Sequence, residues 1–417
     1  MAAPRGLRLP NVTPDAKRRR ILLIQALLTI SLIIAFSWFL LTRKQAKLQR
    51  DFESLLSNRQ YAEASQLGAR LAWYKPDDVK LILDRADIEI QLNQVAKAAQ
   101  LLKSIKPDAT DSISLNFRMG QLMYEIQLFD AATHHLQLTV QRDPQNLQAH
   151  RLITAILGIK RMAPEQKNAL WKWYAGGVGT IESLRILAQS DVIIPPGTIQ
   201  KTSDEGVILE QQLQLEPDSI PSIVALCYFY RNRGDLTRVN QLLGAALSSH
   251  PSDIQLLTEK LALLIDSGDT QSAGSLLQQL NQSIAGSPRL LELRAEYHRN
   301  AGNYASAIFD YENAIKHIEI SPQLSFRLAE CYRLAGRKSE YESYQKKCKL
   351  LKNLSEIAAS VDINAPHPPT LIELSKIALS LNRSRESAAW AREALKLDPA
   401  NAEATEIYRS QSVKQAK

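Results

Sequence analysis

The sequence of 417 residues predicts an all-α protein, a solenoid of stacked helix pairs behind one N-terminal membrane-spanning helix. The first observation is a period, because Gly234, Gly268, Gly302 and Gly336 stand 34 residues apart. A fixed period of this length indicates a stacked array of small structural units. The second is an uncharged apolar run at residues 21–41, which is long enough to cross a bilayer.

The 34-residue spacing also relates Gln127, Asn93 and Arg59. Small residues recur seven positions before these anchors and five after them: Ala86, Gly120, Cys227, Ala295 and Ala329, then Ala64, Ala98, Ala132, Val239, Ala273 and Ala307. A unit of this length holds two helices of roughly 12 to 15 residues and two turns. Small residues fit where paired helices cross, and Gly or Asn ends the first helix in a left-handed turn.

Three stretches resemble the tetratricopeptide repeat (TPR) family. Residues Phe326 to Gly336 are similar to its helix A, Gly302 to Ala314 to its helix B, and Ala394 to Pro399 to the end of a repeat. The resemblance covers roughly residues 51 to 410. It implies a right-handed superhelical array of about nine or ten TPR-like helix pairs, whose concave face binds proteins.

The period breaks twice. Gln127 and Gly234 are 107 residues apart instead of 102, and about 12 residues are inserted between Gly336 and Asn382. The predicted segments follow from these breaks: a basic tail (1–20), the transmembrane helix (21–42), N-terminal repeats (43–160), degenerate repeats with irregular loops (161–217), regular repeats (218–352), a proline-containing linker (353–369), and a C-terminal repeat with a capping helix (370–410).

Basic residues flank the apolar run on both sides. A cleaved signal peptide is the rival interpretation, but its apolar region is typically about 7 to 15 residues and ends in a small-x-small site. The run is longer than that, and Ser37 to Leu40 is a poor cleavage site. Six basic residues precede the run and four follow it closely, which favours repeats on the non-cytoplasmic side of the membrane.

The charge distribution argues against a nucleic-acid partner. The chain has 51 basic and 43 acidic residues. Ten of the basic residues and one of the acidic residues lie in the first 50 positions, so the rest of the chain has 41 basic and 42 acidic residues. A nucleic-acid-binding domain needs a basic patch on its folded part. Three cysteines without a CxxC spacing predict neither a disulfide framework nor a zinc site.

We expect no catalytic residue, no metal, no cofactor and no small-molecule substrate. The seven histidines form neither HExxH nor a Cys/His cluster. The run Gly176 to Gly179 lacks the Lys-Ser/Thr of a phosphate loop, and Trp171, Trp173 and Tyr174 are predicted to be packing residues.

Arginines recur three positions before the anchors, at Arg231, Arg299 and Arg333, and Ile265 interrupts the row. The resemblance places them in the concave groove, where they could bind an acidic or C-terminal carboxylate peptide. The alternative is a solvated face in which they pair with Glu296 and Glu330.

Together these features predict a membrane-tethered scaffold or adaptor that binds a protein or peptide partner in its concave groove. The resemblance to membrane-anchored TPR proteins implies a role in cell-envelope assembly or secretion. Two alternatives stay open. One is an accessory subunit of an enzyme complex with a site at residues 161–205. The other is a self-assembling structural protein.

Overall fold

The computed structural model describes residues 14–106, 109–189, 205–284 and 286–415. In those ranges the regular secondary structure consists of twenty-two α-helices and no strand. This confirms the all-α class. The chain divides into two compact units, residues 1–106 and 107–417.

The first unit contains two helix pairs, in this order: α1 (Pro14–Ser57), α2 (Tyr61–Ala72), α3 (Val79–Gln91) and α4 (Val95–Lys103). Helix α1 is 44 residues long and continues without interruption from the apolar run into the first repeat. Its C-terminal third carries Phe52, which is fully buried against α2 and α3 together with Leu71 and Leu81. One helix therefore serves both as the predicted membrane span and as part of a folded core.

The second unit contains the remaining helices: α5 (Ile113–Glu125), α6 (Phe129–Arg142), α7 (Leu147–Ile159), α8 (Ala163–Gly176), α9 (Thr180–Ala188), α10 (Glu205–Leu215), α11 (Ile220–Asn232), α12 (Leu236–Ser249), α13 (Ile254–Asp266), α14 (Thr270–Gln279), α15 (Asn281–Ile284), α16 (Pro288–Asn300), α17 (Tyr304–Ala314), α18 (Pro322–Leu334), α19 (Lys338–Ser360), α20 (Pro368–Ser380), α21 (Ser384–Leu397) and α22 (Ala402–Gln415).

Nine described helix pairs share one turn, in which a residue with positive φ separates the two helices: Arg59, Asn93, Gln127, Arg161, Gly234, Gly268, Gly302, Gly336 and Asn382. At Gly234 the N–H of Gly234 donates to Arg231 and the N–H of Asp235 to Tyr230, which are the two bonds of a Schellman motif. Arg161, which lies 34 residues after Gln127, is a further turn residue that was not among the predicted anchors.

Helices α10 to α19 form a continuous stack that ends against helices from much earlier in the chain. Helix α9 packs against α19 and α21, while α8, α9 and α19 to α22 share one hydrophobic core. Trp173 and Trp390, both fully buried, belong to that core. We call this contact of α8 and α9 with α19 to α21 the seam.

The other end of the stack meets α6 and α7 through side chains. Asp130 accepts from Ser219 Oγ at 2.7 Å and from Lys160, and Arg161 pairs with Glu205 at 3.1 Å. Helices α7 to α19 therefore form a closed circuit (residues 147–189 and 205–360), in which each helix contacts a neighbour on both sides.

The insertion after Gly336 is helical for most of its length. Helix α19 has 23 residues and continues to Ser360, so the non-helical linker is residues 361–367 and not 353–369. The physical reason is burial, because Leu354 and Ala358 lie in the seam with no exposed surface. The extra turns carry the helix to α9.

Candidate functional site

The five side chains predicted to bind a partner lie on α11, α16 and α18, each the first helix of its pair. Together with α13 these helices present the A-helix surface, formed by residues 220–232, 254–266, 288–300 and 322–334. Ion pairs join neighbouring first helices on this surface, α11 to α13 and α16 to α18. The predicted residues divide into buried and accessible groups on this surface.

Arg231 bonds two acids of the next first helix. Its Nη1 donates to Glu259 Oε2 at 2.7 Å, and its Nε donates to Asp266 Oδ2 at 2.8 Å. The arginine side chain is 11% exposed. A pair this buried is costly to break, so Arg231 holds α11 against α13.

Glu296 occupies the same kind of position between α16 and α18. It is buried and accepts from Arg327 of α18, whereas Arg299, its predicted partner, donates to Asn300 Oδ1 at 3.3 Å. The half-buried Arg299 guanidinium also acts electrostatically on the thiol of Cys331. Glu296 therefore joins neighbouring repeats, and Arg299 is not paired across the groove with it.

Arg289 lies between α13 and α16 near three carboxylates. Desolvation opposes its charge, but Glu259, Glu292 and Glu296 outweigh that effect and raise the pKa of Arg289. Burial raises the pKa of Glu292, with the charge of Glu296 acting in the same direction and that of Arg289 against it. The charge of Arg289 and the charges of these carboxylates therefore largely neutralise one another.

The accessible part of the surface lies on α18. Arg333 donates to Glu330 Oε2 from Nη2 at 2.8 Å and from Nε at 3.1 Å, and the arginine side chain is 50% exposed. Phe326 lies on the same helical face, four residues before Glu330 and seven before Arg333, and its side chain is 58% exposed. Phe326 was not among the predicted partner-binding residues, although its helical spacing alone places it on the same face as Glu330 and Arg333.

Nine described helix pairs carry the same left-handed turn, and eight of these turns keep the 34-residue step within their group: 59, 93, 127 and 161, then 234, 268, 302 and 336, with 382 displaced by the insertion. The small residues before and after these turns, such as Ala86, Ala295 and Ala307, are fully buried. The helix pairs are tetratricopeptide-like repeats.

No protein-family model matches the chain, and no curated protein matches it. Similar solved structures include the APC/C hetero-tetramer Cut9–Hcn1, at 15% identity over 88% of this chain and 70% of that chain with a TM-score of 0.37. Yeast Tom70 has 12% identity over 89% of each chain with a TM-score of 0.32. A tetratricopeptide repeat protein from Parabacteroides merdae has 11% identity over 69% of this chain and 98% of that chain with a TM-score of 0.30. Likenesses at this level concern the repeat fold, and no partner or activity follows from them.

The irregular region at residues 161–205 is used for packing between TPR-like repeats wherever the structure describes it. Trp173 donates from Nε1 to Val178 O at 2.8 Å, and Tyr174 Oη donates to Glu393 Oε1 at 3.1 Å. Gly177 and Gly179 have positive φ and separate α8 from α9. Residues 190–204, within the segment predicted to hold irregular loops, lie outside the described residues.

Burial shifts the pKa values of His135 and Cys227. It lowers the pKa of His135 to about 4, with a smaller effect of His134, and it raises the pKa of Cys227 to about 12. Both groups are uncharged at neutral pH for this reason. In the described ranges no group of three or more His, Cys, Asp or Glu side chains is placed to hold a metal ion.

A cleft of about 360 Å³ opens between α16 and α17. Arg294 donates to both oxygens of Asp310, from Nε at 2.8 Å and from Nη2 at 2.5 Å, and His298 lies 3.8 Å from the same carboxylate. Phe309 at its edge is 62% exposed. The opposite charges in this cleft neutralise each other.

One described helix near the N-terminus is long and apolar enough to cross a membrane, and a signal sequence would pass the same criterion. Its apolar side chains are exposed: Leu27, Leu28, Ile30, Leu32, Ile33, Ile34, Phe36, Trp38, Phe39, Leu40 and Leu41. Such a continuous apolar surface is unfavourable in water.

Proposed function

We propose that this chain is a membrane-tethered scaffold that binds a protein partner on its A-helix surface. The single observation that carries the proposal is the combination of an exposed apolar helix with an array of repeats in one chain. Such arrays present extended surfaces to partners. Service in cell-envelope assembly or secretion is the narrower form of the same proposal.

The tether is supported by the continuity of α1. The helix runs from Pro14 to Ser57, so the apolar segment and the buried Phe52 are parts of one rod. Signal peptide cleavage needs a segment that ends in a small-x-small site, and Ser37 to Leu40 at the end of the apolar run do not provide one. We therefore infer an uncleaved anchor.

The accessible side chains on α16 and α18 indicate which chemical groups a partner would carry. Phe326 offers apolar surface, while Arg299 and Arg333 offer guanidinium groups on the same register of neighbouring repeats. A segment with an apolar residue flanked by carboxylates fits this arrangement. In this proposal Arg231 and Glu296 stiffen the surface, and Glu330 orients Arg333.

The proposal is tested by crosslinking the full-length protein in cells and quantifying each captured protein. We expect Phe326→Ala, and independently Arg333→Glu, to reduce capture of a defined partner by roughly tenfold, the effect of losing about 1.4 kcal/mol of binding free energy. Phe309→Ala is the matched control, because Phe309 is a phenylalanine of similar exposure on α17, the second helix of its pair. If Phe326→Ala and Phe309→Ala give equal capture, the A-helix surface is not the binding site.

We also propose that the repeats lie on the non-cytoplasmic side. The excess of basic residues before the apolar run supports this orientation. Protease added to intact cells or right-side-out vesicles should then digest the repeats, whereas a cytoplasmic array would be digested only after lysis.

A further inference from the structure

Trp73 is exposed at one end of the first helix pair. Its side chain is 89% exposed, more than any other large hydrophobic residue in the described ranges. It is the C-cap of α2 and begins the connection to α3, residues 73–78. A tryptophan at this exposure has its apolar ring in water, which is unfavourable unless a partner covers it.

The packing of α1 and α2 places this residue relative to the apolar helix. The two helices are antiparallel, and a Cβ on Gly68 would lie 2.8 Å from the Phe52 ring, so these two residues are level with each other. Five residues beyond Gly68, Trp73 is level with Lys47, and Leu48 and Ala72 share the core beside it. Trp73 therefore lies at the end of the pair from which the apolar run extends.

The distance from the hydrocarbon boundary follows from helix geometry. Lys47 lies six residues after Leu41, which is about 9 Å along the helix. The polar interface of a bilayer is about 5 to 8 Å thick on each side of the hydrocarbon core. Trp73 therefore lies at about the outer edge of that interface, a zone in which tryptophan is enriched in membrane proteins.

Charge at the same end favours a lipid surface. Exposed basic residues lie at this end of the unit on α1, on α2 and just after α4: Arg43, Lys44, Lys47, Arg70 and Lys106. Acidic residues in the connection are Asp77 and Asp78, and Asp78 pairs with Lys75 at 3.7 Å. Such basic residues next to an apolar span interact favourably with anionic headgroups.

We propose that the α2–α3 connection is a second membrane contact, in which Trp73 inserts into the interface of the bilayer that α1 spans. This contact would fix the tilt of the first repeat relative to the membrane, since a single helix leaves it free to tilt. The inference rests on the proposed function, because it requires α1 to be the membrane anchor.

The test uses the full chain in vesicles of phosphatidylcholine and phosphatidylglycerol, with an environment-sensitive fluorophore on one introduced cysteine in a Cys348→Ser background. Asp77→Cys places the label in the connection and keeps Trp73, and Asn58→Cys places it at the other end of α2, about 18 Å away. Nitroxide on the lipid headgroup should quench the label at position 77 at least about twofold more than at position 58. Adding Trp73→Ser should lower the quenching at 77 towards the value at 58.

Equal quenching at the two positions, or quenching at 77 that Trp73→Ser leaves unchanged, would overturn this inference. A carbonate wash of the same vesicles separates this failure from failure of the anchor. A chain that stays in the pellet while the two labels behave alike keeps the tether and loses the second contact. A chain that washes off removes both.

Discussion

At the residue scale, most polar side chains singled out by the sequence stabilise the fold itself. Arg231 and Glu296 are buried ion-pair partners between neighbouring repeats. His135 is 3% exposed, and its Nδ1 lies 3.0 Å from Asn116 Oδ1. Among the five predicted partner-binding side chains, Arg299, Glu330 and Arg333 can contact a partner without prior loss of such a buried pair.

His135 makes the stability of the array depend on pH. Burial lowers the pKa of His135 in the folded protein to about 4 from 6.5. The contribution of this histidine to stability is therefore fully present above pH 6.5 and is lost as the pH falls from 6.5 towards 4. The loss is at most about 3 kcal/mol, since each pKa unit corresponds to 1.36 kcal/mol. Chemical denaturation at pH 7.5 and pH 5 should show a smaller difference for His135→Gln than for wild type.

His134→Gln is the control for that comparison, because His134 is exposed on the same helix. It should retain nearly the wild-type pH dependence. If His134→Gln and His135→Gln change the pH dependence equally, burial of His135 is not its cause.

At the element scale, α19 is the helix whose length determines the closure of the array. Its first part makes an ordinary pair with α18, and its last turns bury Leu351, Leu354 and Ala358. The insertion that breaks the 34-residue period is therefore a structural extension. Proline at Pro366 and Pro368 stops the next helix from merging with it.

We expect Leu354→Ala to destabilise the second unit by about 2 to 5 kcal/mol, because it leaves a cavity in a fully buried site. Hydrogen exchange should rise in α9 as well as in α19, although α9 is far away in sequence. Leu397→Ala provides the comparison, since Leu397 is 47% exposed and its loss should cost less than about 0.5 kcal/mol. Unchanged exchange in α9 would contradict the seam.

At the scale of the second unit, the seam couples parts of the chain that an open solenoid keeps separate. Tyr174 and Thr180 both donate to Glu393, across 219 and 213 residues of sequence. Lys167 and Glu319 form a further ion pair at 2.8 Å. In an open array each repeat depends on its neighbours alone.

Deletion of residues 368–417 tests this coupling. In a closed circuit the deletion uncovers Trp173 and Leu187 in α8 and α9, so those helices should lose hydrogen-exchange protection. Helices α12 to α14 lie away from the seam and should keep theirs. Loss of protection confined to α18 and α19 would instead describe an open array.

Much of the fold could be predicted from the sequence, and less of the candidate site. The turns at Asn93 and Gly302, the helices at 147–159, 180–188 and 205–215, and the exposed apolar helix all follow from local signals. The exposure of Phe326 and the pairing of Arg231 could not be read in this way. They depend on which helix lies opposite each side chain.

The sequence by itself determined the helix pairs, their left-handed turns and the apolar span, because backbone preferences and the spacing of small residues act over a few residues. Tertiary structure alone decided that the array closes on itself, which arginines are occupied, and that the inserted residues lengthen α19. The closure and the length of α19 rest on contacts between distant parts of the chain, such as Lys167 with Glu319 and Tyr174 with Glu393, 152 and 219 residues apart. The occupied arginines depend instead on which side chain of the neighbouring repeat lies opposite them. A 34-residue period carries information about adjacent units and none about such distant ones.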